Sequence, residues 1–270
     1  MSAIEKISHV DSSFLATLPF TYFSCAPFID FAAYRLLRND ESILVVEDAI
    51  YPHEFPALVL PQQQENWEQC SLLFCTDEWK SKIQEAGIEL IVDRPLGSEF
   101  YYATAAFVEP AGSLRKKANV FQKKYTFTML HAYPTQKIRE FYQKWKSQRP
   151  RAGGVFDEGE KFFDFCLDHL DVYGIRQVYV EIAGELAGFG WGVPFLDRGW
   201  VGLHLKVDYT IKGLSRFIHI ERAKLFSEFA EFTLGTSAQE AGIEDYKREL
   251  GPVREVPYWY VLTGGKVEGS

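Results

Sequence analysis

The stretch QVYVEIAGELAGFGWGVPF, residues 177–195, places apolar Val178, Val180 and Ile182 at alternate positions before Ala183-Gly184-Glu185, and Leu186, Phe189 and Trp191 after them. Alternation on both sides of a short glycine-bearing segment predicts two strands joined by a tight turn. A third strand, WVGLHLKV at 200–207, then leads through Asp208 and Tyr209 into a helix. On it Leu214, Phe217, Ile218, Leu225 and Phe229 recur at helical spacings. The first N–H groups of a helix lack intrahelical partners, so strand end and helix start together make a small polar socket that favours anions.

Working outward, 270 residues at 47% hydrophobic can bury a large core in one or two domains. No apolar run approaches the roughly 18 to 20 residues that cross a bilayer. The N-terminal MSAIEKISHVDSS lacks the basic-then-apolar layout of a signal peptide. A cytoplasmic protein is expected, with peripheral contact to lipid headgroups left open. Cys25, Cys70, Cys75 and Cys166 have no metal-ligand or CxxC spacing and sit among apolar neighbours, so they are read as buried, reduced thiols. Without HxxxH, HExxH or a Cys/His cluster, no metal is expected.

The net charge of −8 is unevenly spread: residues 115–151 hold 11 Lys and Arg against a single carboxylate, Glu140. Such asymmetry points to a local polyanion site, and it is equally the pattern of two solvated helix faces.

Read in order, the N-terminal part alternates α and β. Residues 41–48, 55–60 and 72–75 are strand-like; Thr76 or Asp77 caps a helix through Glu85, closed by Gly87, and a strand resumes at Ile88. Phe100, Tyr101 and Tyr102 open an aromatic segment. Gly112-Ser113 starts a basic helix with Leu114, Ala118 and Phe121 on one face. A strand at 126–130, a helix from Pro134 to Lys146, a polar loop at 148–154 and a Phe-rich helix at 156–170 follow.

From Tyr125 onward the order is strand, two helices, hairpin, strand, helix, strand, helix, strand. This α/β layout with a mixed sheet resembles the N-acetyltransferase-like (GNAT) fold. The looser alternation before it suggests a tandem, with one GNAT-like domain at 1–124 and a second, carrying the site, at 125–270. The match extends to motifs. Tyr101-Tyr102 followed by SLRKKANVFQKKY at 113–125, GELAGF at 184–189, GTSAQEAGIEDYK at 235–247, and Pro257 with the aromatics at 258–260 resemble, in order and spacing, the tandem-GNAT proteins of the phosphatidylglycerol lysyltransferase C-terminal-domain type (DUF2156). These are relatives of the Fem-type aminoacyl-tRNA-dependent transferases. Ala118-Asn119 stands where relatives often have Arg-Asn, and the Asn-Arg-Glu-type triplet of some members is missing, which leaves donor and acceptor open.

The resemblance implies transfer of an aminoacyl group from aminoacyl-tRNA, as co-substrate and without another cofactor, to an amine or hydroxyl of a lipid, peptide or small molecule. Such a site needs a held nucleophile, an oxyanion donor and a carboxylate. Asp208 is the first candidate carboxylate and equally a helix N-cap. Glu240 is a second, or half of a capping box with Ser237. Glu244 with Lys247 either faces the cleft or forms an i,i+3 surface pair. Lys212 and Gly213 lie where a phosphate meets a helix start. Arg222 reaches one only if the nucleic acid crosses the helix. Trp191 and Tyr209 are candidates for stacking on a ring. Arg115, Lys116, Lys123 and Lys124 would grip the tRNA backbone. His204 and His219 are read as structural. The rival donor is acyl-CoA, for which the segment Thr210-Ile-Lys-Gly213-Leu-Ser215 has only one of the expected loop glycines. A non-catalytic RNA- or protein-binding module is the third reading.

Overall fold

The computed structural model describes residues 15–16, 20–31, 35–39, 42–47, 57–58, 68, 71–148, 155–236 and 241–266. In chain order its elements are α1 (Ala26–Phe31), β1 (Arg35–Asn39), β2 (Ser42–Glu47), β3 (Ala57–Leu58), β4 (Ser71–Cys75), α2 (Asp77–Glu85), β5 (Ile88–Ala103), α3 (Ala105–Val108), α4 (Gly112–Lys124) and β6 (Thr128–Leu130). Then come α5 (Thr135–Ser147), α6 (Val155–Asp168), β7 (Arg176–Ile182), β8 (Glu185–Phe195), β9 (Gly199–Val207), α7 (Leu214–Lys224), β10 (Glu231–Thr236), α8 (Ala241–Glu249) and β11 (Arg254–Lys266). From β6 onward this is the order expected from the sequence.

Two compact units form: Met1–Phe100 with Thr236–Glu249 and Arg254–Ser270, and Tyr101–Gly235 with Leu250–Val253. The basic helix α4, assigned from sequence to the N-terminal half, packs in the second unit, because Ala118 and Phe121 join a core with Val178, Val180, Val207, Leu214 and Phe217. Strand β11, assigned to the C-terminal half, pairs antiparallel with β4 in the first unit.

In the first unit the strands run β1-β2-β3-β4-β11-β5. Helix α2 begins where Thr76 accepts the Trp79 N–H at 3.3 Å, and Gly87 leaves it at φ 74°. Its Ile83 packs on Cys75, Ile88 and Val261. Cys25, Cys75 and Cys166 are buried free thiols, as expected; Cys70 lies outside the described residues.

In the second unit the order is β10-β9-β8-β7-β6. The β7–β8 turn puts Ala183 and Gly184 at φ 53° and 80°, the two left-handed positions that a two-residue hairpin of matching twist requires. On one side of these strands α7 and the residues just after it lie over Gly188, Gly190 and Gly192, which leave room for their side chains. A Cβ on Gly190 would come 2.6 Å from Ile218 and one on Gly192 2.8 Å from Phe226. On the other side α5 and α6 bring a stack of parallel rings, Tyr142 on Phe163 at 3.9 Å and Phe163 on Trp191 at 5.2 Å. Fully burying rings of this size contributes roughly 2–3 kcal/mol each. Helix α7 stops at Lys224, so Leu225 is its cap and Phe229 lies beyond it, where the apolar spacing predicted a longer helix.

Candidate functional site

The site is built from the way β9 parts company with β10. Their parallel pairing covers only Trp200–Phe232 and Val201–Thr233, after which β9 continues to Val207 with no further β10 partner in that register. A bulge falls just past this point: Gly190 faces Leu205 and Gly192 faces Gly202, so Trp191 is opposed by both Leu203 and His204.

Arg222 accounts for the backbone groups that the bulge turns inward. Only 1% exposed, it donates from Nη1 to the Trp191 carbonyl at 3.0 Å and the His204 carbonyl at 3.5 Å. Its Nη2 lies 2.9 Å from His219 Nδ1. Gly202 makes this possible, since a Cβ there would come 2.9 Å from Nη2 and 2.6 Å from Leu234. The expectation that Arg222 meets a phosphate is therefore corrected: the i,i+4 spacing from Ile218 turns it into the sheet. Trp191 is corrected likewise. It is buried, donates Nε1–H to Tyr179 Oη at 3.1 Å and stacks on Phe163, leaving no face for a substrate ring.

His204 and His219, read from the sequence as structural, are both buried. Burial first, then the charges of Lys206 and Arg222, holds His204 well below the usual histidine range, so it is neutral.

The turn from β9 to α7 carries the exposed candidates. Asp208 Oδ1 accepts from the Thr210 N–H at 2.9 Å and from Thr210 Oγ1 at 2.7 Å, closing a local turn. It is not the N-cap of α7. That position belongs to Gly213, whose φ of 86° suits glycine. A Cβ on Gly213 would drive into the Lys117 carbonyl of α4, so glycine also permits the two helices to touch here. Tyr209 is 55% exposed with its ring 6.3 Å from that of Trp145, and Lys212 is exposed.

The long basic segment splits into two populations. Two cations of α5 are taken up by carboxylates of α6: Arg139 pairs with Asp164 and Asp168, and Lys146 with Glu160. The candidates on α4 differ. Arg115, Lys116 and Lys123 are exposed with no ion pair among the described residues, and Lys124 lies over its neighbour Tyr125 at 5.3 Å. The tRNA-binding candidates are thus accessible on a helix whose backbone meets Gly213 at the Lys117 carbonyl.

Two further candidates lie in the first unit. Glu244 pairs with Arg248, which also bonds Glu255 at 2.8 Å. Lys247 is buried and donates Nζ to the Thr236 carbonyl at 2.7 Å, so it is not half of a surface pair. Glu240 and Ser237 lie outside the described residues.

The chain aligns with several solved structures. It covers 97% of its length and 100% of the other chain against a conserved protein of unknown function from Bacteroides thetaiotaomicron VPI-5482, at TM-score 0.77 and 13% identity. Against the C-terminal DUF2156 domain of a putative lysylphosphatidylglycerol synthetase from Agrobacterium fabrum it covers 96% and 98%, at 0.61 and 11%. Against FemX it covers 94% and 96%, at 0.63 and 7%. The chain shares its α/β fold with the DUF2156 domain and with FemX. No protein-family model and no curated protein matches the sequence. Among the described residues no helix is long and apolar enough to cross a membrane.

Two residues escaped the reading of the sequence. Lys117 is exposed on α4 beside the cations singled out, and its run with Lys116 was the available signal. Glu99 is fully buried and accepts the Tyr22 N–H at 2.7 Å. A lone carboxylate opening the aromatic run Phe100–Tyr102 was the clue.

Proposed function

We propose that the chain is an acyltransferase that moves an aminoacyl group from aminoacyl-tRNA to an amine or hydroxyl of a lipid, peptide or small-molecule acceptor. The observation that supports this most is the accessible basic face of α4, where Arg115, Lys116 and Lys123 stay outside ion pairs among the described residues, while on α5 Arg139 and Lys146 are paired. Neutralising phosphates along that face is largely sequence-independent and places the RNA. The fold shared with a putative lysylphosphatidylglycerol synthetase domain and the motif resemblance support this choice of donor class.

In this reading Lys212 meets the phosphate nearest the charged 3′ end, and the exposed ring of Tyr209 offers a stacking face to its terminal base. Asp208, held by Thr210, keeps a carboxylate beside them for the aminoacyl ammonium. The acceptor attacks the ester carbonyl and the ribose oxygen departs with a proton. The ester is already activated, so positioning is the main requirement. An acyl-CoA donor fits less well: the one loop glycine is committed to the close approach of Lys117.

A second reading, a non-catalytic RNA-binding module, is favoured by one fact: Asp208 Oδ1 is already engaged twice by Thr210. One experiment separates the two. The protein is incubated with a mixture of tRNAs charged with labelled amino acids and a cell extract, and label on a non-RNA acceptor is expected. In parallel, Lys116→Glu, Lys123→Glu and Lys124→Glu together should weaken tRNA binding. Its logarithmic salt slope should fall by about 0.9 for each phosphate that the variant no longer neutralises. Binding with that dependence but no label transfer favours the second reading. Unchanged binding in the variant removes RNA from both.

A further inference from the structure

The first unit buries an acid and a base that the proposed transfer does not use. Glu99 on β5 is fully enclosed, with Oε1 accepting the Tyr22 N–H at 2.7 Å. Lys247 on α8 is enclosed too, with Nζ donating to the carbonyl of Thr236, the last residue of β10, at 2.7 Å. The chain passes from Thr236 to α8 within a few residues. The bond from Lys247 therefore ties the helix to Thr236, within the first unit.

We propose that α8 is held by a proton-controlled latch: Lys247 docks as a neutral amine on the Thr236 carbonyl, and uptake of one proton by that amine weakens the docking of the helix. The reason is desolvation. An ammonium in this enclosed position loses its hydration, while the neutral amine keeps a donor for the carbonyl at far smaller cost. Burial accordingly pushes the Lys247 amine down to about 7 from the usual 10.5, with the facing Glu99 carboxylate opposing the shift.

Asp245 and Glu249 stand exposed on α8 two residues to either side of Lys247. On α8 itself Arg248 is turned to Glu244 and Glu255 and lies 5.7 Å over the Phe100 ring. At the start of α1 the Cys25 thiol, pushed up to about 12 by burial, stays uncharged through this range.

The sign follows from linkage. A helix that swings free returns Lys247 to its ordinary affinity for protons, so the free state binds the extra proton and gains population as pH falls. Release should strengthen by up to about tenfold per pH unit on the way down from the usual lysine range. It should level off below about 7, where the docked amine is itself protonated.

Hydrogen–deuterium exchange on the full chain, expressed as protection factors for the α8 amides from about pH 9.5 to about pH 6, reads this directly. The wild type should lose protection as pH falls and then reach a plateau. Lys247→Met should show no such dependence, and Glu99→Gln should move the plateau to lower pH by removing the charge that favours the ammonium. If Lys247→Met fails to fold with the Glu99 carboxylate facing it, the double variant Lys247→Met/Glu99→Gln serves in its place. A Lys247-lacking variant with the wild-type pH dependence, or a Glu99→Gln plateau displaced upward, would overturn the latch.

Discussion

Arg222 and Lys212 carry the same charge and belong to one turn-and-helix segment, yet their surroundings give them different work. Lys212 extends into solvent. Arg222 closes the bulge, and its removal would strand the carbonyls of Trp191 and His204 in a dry interior. Lys212→Ala is expected to leave the unfolding free energy within about 0.5 kcal/mol while weakening polyanion binding. Arg222→Ala is expected to cost about 2–4 kcal/mol from broken hydrogen bonds and a cavity. Urea unfolding of both variants checks the contrast, and equal costs would mean that Arg222 is not the bulge's support. Asp208 is legible in sequence as a residue that bonds nearby backbone. Which backbone it bonds depends on where α7 begins, and that is set by Gly213.

At the scale of elements the decisive meeting is between α4 and α7. Amphipathic spacing showed the buried face of α4, and Leu114, Ala118 and Phe121 do turn inward. Its partner was not legible, because an apolar stripe states only that something covers it. Gly213 settles the approach. Gly213→Ala would place a methyl group against the Lys117 carbonyl in a left-handed backbone that costs a non-glycine residue about 1–2 kcal/mol before any clash. A loss of at least that size is expected in denaturant unfolding, with α4 and α7 exchanging faster than β7 and β8. A loss confined to tenths of a kcal/mol would show that the helices are not held this closely. The basic segment teaches a related point. Seen along the chain it is one run of charge, and only the packing of α6 beside α5 ties Arg139 and Lys146 to carboxylates.

Over the whole molecule, each unit encloses one base whose protonation is disfavoured by burial: His204 in the second and Lys247 in the first. In both cases the folded group takes its proton at lower pH than the unfolded one. Each therefore supports folding at high pH and loses that support as pH falls. For Lys247 the loss runs from the usual 10.5 to about 7, and for His204 it begins at the usual 6.5. Thermal unfolding is expected to shift downward on acidification through both ranges. His204→Gln should flatten the lower part and Lys247→Met the upper part; wild-type slopes in both variants would exclude these groups as the cause.

The sequence by itself determined the order of elements from β6 onward, the hairpin at Ala183-Gly184, the burial of Cys25, Cys75 and Cys166 and the inward face of α4. All of these follow from period, turn chemistry and local hydropathy, which act over a few residues. Only the tertiary structure decided that Trp191 and Arg222 are interior, that Arg139 and Lys146 of α5 pair with α6 while α4 keeps Arg115, Lys116 and Lys123 exposed, and that Lys247 is enclosed near Glu99. Those outcomes rest on which faces meet across long stretches of chain, and on the dry surroundings that result. A residue's own type and its neighbours in sequence leave both unspecified.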